Sequence, residues 1–83
     1  MLYRVIVPKK VQGEIARVDS RYRQRILAVL TILANEPRRG KQLRGDHEGE
    51  WSYRVWPQRI LYRIKKQKLI VLIVRIGNRQ GIY

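Results

Sequence analysis

Cysteine is absent from this 83-residue chain, which removes disulfides, a thiol nucleophile and thiolate metal sites together. Histidine occurs once, at His47, so no multi-histidine metal cluster can be built. Carboxylates are scarce: six Asp and Glu stand against nineteen Lys and Arg, a net charge of +13. Long apolar runs are missing as well. The longest, Leu69 to Val74, has six residues, far short of the ~20 needed to span a bilayer. No basic-apolar-small signal peptide opens the chain. These absences predict a cytoplasmic protein with no membrane partner and no metal.

What is present argues against a disordered basic tail, because 45% of the residues are hydrophobic. The length suits one domain over residues 1–83, and the charge predicts a polyanionic partner. Tyr3, Val5 and Val7 alternate with Leu2, Arg4 and Ile6 until Pro8 ends an opening strand. Val11, Ile15 and Val18 recur at helical spacing, weakened by Gly13, and Asp19-Ser20 offers an N-cap for the next segment. From Arg21 to Glu36, Tyr22, Ile26, Val29, Leu30 and Leu33 form one apolar helical stripe, which Pro37 stops. Pro37–Lys41 and Gly45–Glu50 read as loops.

Trp51–Trp56, Arg59–Lys65 and Leu69–Ile76 are rich in aromatic and β-branched residues and closely spaced, which predicts an antiparallel three-strand meander. The fold class is therefore α+β: an N-terminal strand, two helices, then the meander. An even loop at Pro57-Gln58 pairs Val55 with Ile60, Tyr53 with Tyr62 and Trp51 with Ile64 on an apolar, helix-covered face. Ser52, Arg54 and Trp56 then share the opposite face with Arg59, Leu61 and Arg63. Leu69–Ile76, apolar on both faces, reads as a central strand. In an up-down-up meander the chain after Gly77 emerges beside Pro57-Gln58, which brings Arg79 toward Arg59 and Trp56.

From Trp51 to Tyr83 there are eight Lys or Arg residues and no Asp or Glu, an asymmetry beyond what solubility requires. Guanidinium forks bind phosphate bidentately and Trp56 can stack a base, a combination suited to single-stranded RNA.

Three segments, Gln42-Leu43-Arg44-Gly45, Trp51-Ser52-Tyr53-Arg54-Val55 and Arg59-Ile60-Leu61-Tyr62-Arg63-Ile64, together resemble the RelE/ParE superfamily, toxins of type II toxin–antitoxin modules. Val74 to Tyr83 is similar to the terminal strand and Gly-x-Arg-x-x-x-Tyr ending of its RelE branch. The resemblance implies a curved sheet of the RelE-like, microbial ribonuclease-like type. It also implies a metal- and cofactor-independent endoribonuclease that cuts mRNA in the ribosomal A site, contacts ribosomal RNA, inhibits translation and is neutralised by a cognate antitoxin.

The catalytic candidates implied are Arg54, Arg59, Arg79 and Tyr83, with Arg44, Ser52, Trp56, Arg63 and Lys65 as RNA-contact candidates. Where several RelE-like enzymes place a lysine on the strand before the hairpin, this chain has Ser52. Metal-free RNA cleavage needs the 2′-hydroxyl deprotonated, the phosphorane stabilised and the leaving 5′-oxygen protonated. Arginine, protonated up to pKa ~12 and beyond, supplies only the second. Tyr83 is left as acid, base or stacking platform.

Two competing readings are a ParE-like inhibitor of DNA gyrase, which needs no RNA-cutting residues, and an RNA-binding module without catalysis. Asp46-His47-Glu48-Gly49-Glu50 reads as an exposed turn rather than a metal loop, and Ser20 as a helix cap. Leu27 and Ile32, outside the main stripe of the second helix, and Ile70, Leu72 and Val74 on the outer sheet face read as core packing. Any part left exposed is where a partner helix or peptide could pack.

Overall fold

The computed structural model describes residues 2–78. The order is β1 (Arg4–Ile6), α1 (Lys9–Arg17), α2 (Ser20–Asn35), β2 (Lys41–Gln42), β3 (Trp51–Val55), β4 (Gln58–Lys65) and β5 (Ile70–Asn78). They form one five-stranded sheet in the order β1-β5-β4-β3-β2. The expected meander is β3-β4-β5, antiparallel throughout, and the opening strand lies at the edge, parallel to β5.

Both helices follow from their apolar spacing. Val11 is the fully buried residue of α1, while Ile26, Val29 and Leu33 are the buried stripe of α2. Burying an Ile or Leu this completely contributes roughly 1.5–3 kcal/mol, and these side chains meet Ile60, Tyr62, Val71, Ile73 and Ile76 of the sheet. Asp19, rather than Ser20, is the N-cap of α2, its carboxylate accepting from the Arg21 N–H at 2.9 Å, and Ser20 is the first helical residue. The orphan carbonyls ending α1 are taken by Arg23, whose guanidinium donates to Ala16 O at 3.1 Å and Val18 O at 2.9 Å. That contact ties the two helices together at their turn.

The β3–β4 hairpin turns through Trp56 and Pro57, joined by a cis peptide bond, with Val55 opposite Gln58. The turn is two residues tighter than the expected loop, so β4 begins at Gln58. The pairing becomes Trp51 with Tyr62, Ser52 with Leu61, Tyr53 with Ile60 and Arg54 with Arg59. Because the shift is by two residues, every side chain keeps its expected face. Trp51 and Tyr62 rings stack with centroids 6.4 Å apart on the helix side.

Three further features depart from expectation. Lys41–Gln42 is an edge strand paired with Trp51 and Ser52, where the sequence reads as loop. The central strand by position is β4, whereas β5 lies between β4 and the short β1. A bulge leaves Val74 out of the β4–β5 ladder, so Leu61 faces Arg75 and Tyr62 faces Ile73. Past the bulge, the Ile76 N–H donates to the Glu14 carboxylate of α1 at 2.8 Å.

Candidate active site

Alternation along β3 and β4 sends Arg54 and Arg59 to the sheet face opposite the helices, and the ladder places them directly across from each other. Cross-strand partners have Cβ atoms ~4.5–5.5 Å apart, and like charges so placed repel. Both line one concavity on that face. The concavity has a volume of about 540 Å³ and is lined by Arg39, Lys41, Ser52, Tyr53, Arg54 and Arg59, together with Gly40 and Leu43. Arg39 donates to Glu36 at 3.1 Å, an exposed pair that offsets little of its charge. Arg54 and Lys41 are engaged by no carboxylate among the described residues.

The edge strand that closes this concavity is held by a buried phenol. Tyr62 donates its O–H to the Pro37 carbonyl at 2.7 Å and accepts from the Gly40 N–H at 3.1 Å. Burial, the largest influence, pushes its pKa up to about 12, while the Gly40 N–H acts in the opposite sense. Gly40 has to lack a side chain, since a Cβ there would stand 2.7 Å from the Ser52 carbonyl oxygen. The Leu43 N–H then donates to Glu50 O at 2.9 Å, pinning the far end of β2.

The candidate residues fall into separate groups. Arg54, Arg59 and Trp56 gather at the hairpin end, Trp56 standing 61% exposed in the turn. Ser52 lies in their midst but is 5% exposed, beneath the surface rather than on it. This corrects its placement on an open face, and Leu61 is buried beside it between Ser52 and Arg75. Arg63 is farther along β4, where its guanidinium meets the Glu50 carboxylate at 3.3 Å. The other Glu50 oxygen is 3.0 Å from His47 Nδ1, so the acidic segment is anchored to the sheet rather than being a plain exposed turn.

Lys65, six residues beyond Arg59 on β4, is ~20 Å away at ~3.4 Å per residue. It borders a second concavity of about 570 Å³, where Lys66 and Lys68 surround Ile6, Ile70 and Leu72. Arg44 is exposed just after β2. Arg79 and Tyr83 lie outside the described residues. The strand leading to them reaches the hairpin end as expected, with Gly77 opposite Arg59 and Asn78 opposite Gln58.

Lys41 and Arg39 are lining cations that sequence reasoning missed, and Lys41 is the one on a strand. A two-residue strand after Pro-Arg-Arg-Gly carries no alternation to detect. Its face and its neighbour Ser52 are set entirely by pairing with β3.

Comparison with known proteins places this geometry in context. A family model described as ParE toxin of type II toxin-antitoxin system, parDE, matches residues 5–83. The toxin–antitoxin complex RelBE2 from Mycobacterium tuberculosis contains a chain 28% identical to this one, superposing with a TM-score of 0.88 over 95% of this chain and 100% of that one. The RelE–RelB complex from the archaeon Pyrococcus horikoshii gives 23% identity and a TM-score of 0.80 over 100% of both chains. A mutant E. coli toxin RelE in the free state gives 19% identity and a TM-score of 0.83, covering 99% of this chain and 88% of that chain. No curated protein matches the chain in sequence. No helix among the described residues is long and apolar enough to cross a membrane.

Proposed function

The chain belongs to the RelE/ParE superfamily of type II toxin–antitoxin toxins, and from that premise we propose that it is an endoribonuclease that cuts mRNA in the ribosomal A site and so inhibits translation. The observation that carries this reading is the direct opposition of Arg54 and Arg59 across the β3–β4 ladder, where both line one concavity. Two arginines whose backbones are held opposite each other by a hydrogen-bonded ladder offer paired donors to the charge that grows on a phosphorane.

In this mechanism Arg54 and Arg59 grip the scissile phosphodiester and Arg79 joins them from the chain beyond β5. Tyr83 moves a proton or holds the substrate in line. Trp56 offers a stacking surface, while Arg44, Arg63 and Lys65 add electrostatic attraction to mRNA and ribosomal RNA. A cognate antitoxin neutralises the protein, by analogy with the complexes in which the M. tuberculosis and P. horikoshii relatives are found. The site of action is the cytoplasm, where translated mRNA is.

A second reading has its own support, because the matching family model is that of ParE toxins and position 52 holds a buried serine. On that reading the protein inhibits DNA gyrase by protein–protein contact. One paired experiment separates them: expression in a translation extract with mapping of RNA ends, beside a gyrase supercoiling assay. New ribosome-dependent 3′ ends are expected. DNA cleavage complexes with intact mRNA would select the gyrase reading instead.

A further inference from the structure

We propose that Lys41 is a catalytic residue of this site, the proton donor to the departing 5′-oxygen, and that Gly40 and Tyr62 are its positioning residues. The inference rests on the ribonuclease reading above and adds the group that the arginines cannot replace.

The placement of Lys41 is built rather than incidental. It lies directly across from Ser52 on β3, and its diagonal neighbour on the same face is Arg54, at ~7–8 Å by the geometry of antiparallel ladders. Both side chains line the same concavity as Arg59. A strand of two residues would ordinarily fray at a sheet edge. Here the Tyr62 phenol bridges Pro37 O and Gly40 N immediately before Lys41, and Leu43 N is bonded to Glu50 O just after it. The missing side chain at Gly40 lets the backbone come down onto Ser52. This anchoring fixes where the lysine stem begins and, with no carboxylate engaging Lys41 among the described residues, leaves its ammonium for a substrate.

Chemistry then distinguishes Lys41 from its neighbours. A guanidinium keeps its protons, so the arginines around the concavity stabilise charge without donating. A lysine ammonium is a compact acid with a proton to give. During cleavage the 2′-oxygen attacks phosphorus and releases its proton to water, the P–O2′ bond forms, and the P–O5′ bond breaks. Lys41 Nζ gives its proton to the 5′-oxygen and regains one from solvent. The products are a 2′,3′-cyclic phosphate and a 5′-hydroxyl, with no change of oxidation state.

The test is single-turnover cleavage of a defined mRNA on purified ribosomes by the full chain and by Lys41→Arg and Lys41→Met. A control measures binding to ribosomes carrying the same mRNA with 2′-deoxy substitution at the cut site. General acid catalysis contributes typically ~10²–10⁴-fold, so Lys41→Arg is expected to lose at least about a hundredfold in rate while retaining binding. Wild-type rates in Lys41→Met, or near-wild-type rates in Lys41→Arg, would overturn the inference while leaving the ribonuclease reading intact. A wild-type chain that cuts no RNA would overturn both.

Discussion

Two basic regions of the sheet invite comparison: the hairpin end with Arg54, Arg59 and Lys41, and the opposite corner with Lys65, Lys66 and Lys68. Neither has an acidic residue among its described lining residues, yet they differ in how their charges are held. At the hairpin end, cations sit on ladder positions whose spacing is set by hydrogen-bonded strands. At the lysine corner, Lys66 and Lys68 ride on a short turn that closes with Leu69 in a left-handed conformation, φ +55°, around apolar Ile6, Ile70 and Leu72. The difference teaches that similar charge can be held in two ways, on paired ladder positions or on a turn over apolar residues. Between the two lies Arg63, whose charge is shared with Glu50.

The contrast can be broken most directly by truncation. On the proposed ribonuclease function, Arg54→Ala and Arg59→Ala should each slow RNA cleavage about a hundredfold, roughly 3 kcal/mol of lost transition-state stabilisation, with circular dichroism unchanged. Lys66→Ala and Lys68→Ala should stay within about twofold, as exposed substitutions usually do. Equal losses at both ends would show that bulk charge, rather than the arginine pair, drives the reaction.

The hairpin end can also be sharpened by disturbing its anchor. Gly40→Ala should lower unfolding stability by about 1–3 kcal/mol, since the new methyl group must displace the Ser52 backbone or the Tyr62 hydroxyl. Denaturant titration measures it, and a midpoint equal to wild type would mean that β2 is not clamped as described.

The smallest effect is on pH dependence. The Tyr62 phenol is held protonated to about 12, against an ordinary value of 10.0. The unfolded chain therefore sheds this proton first as the solution becomes alkaline. The resulting stabilisation is complete below about pH 10 and lost between about pH 10 and pH 12. Urea midpoints measured through that window should fall in the wild type and fall less steeply in Tyr62→Phe. An identical slope would remove Tyr62 as the source.

Much of the architecture was legible because its signals are periodic and local. The α2 stripe of Ile26, Val29 and Leu33 lies where the spacing placed it, and Asp19 caps the helix it precedes. Parity along β3 and β4 put Arg54 and Arg59 on one face even though the exact partners were misjudged by two residues. What local patterns do not encode is how tightly a turn closes, and Trp56-Pro57 closes with no residue to spare. Nor do they reveal that Ser52, polar and on the outer face, is covered.

Composition by itself determined the strongly cationic balance and the lack of cysteine, and periodicity determined two helices and a meander. Tertiary structure alone decided which cations meet. Arg54 faces Arg59 through a register chosen by the turn, and Lys41 joins them through a strand too short to have a pattern, held down by a tyrosine 21 positions farther along the chain. Charge is a property of composition and survives any rearrangement of the chain, whereas the separation of two charges depends on register. Register is settled by backbone pairing and packing across the whole sheet.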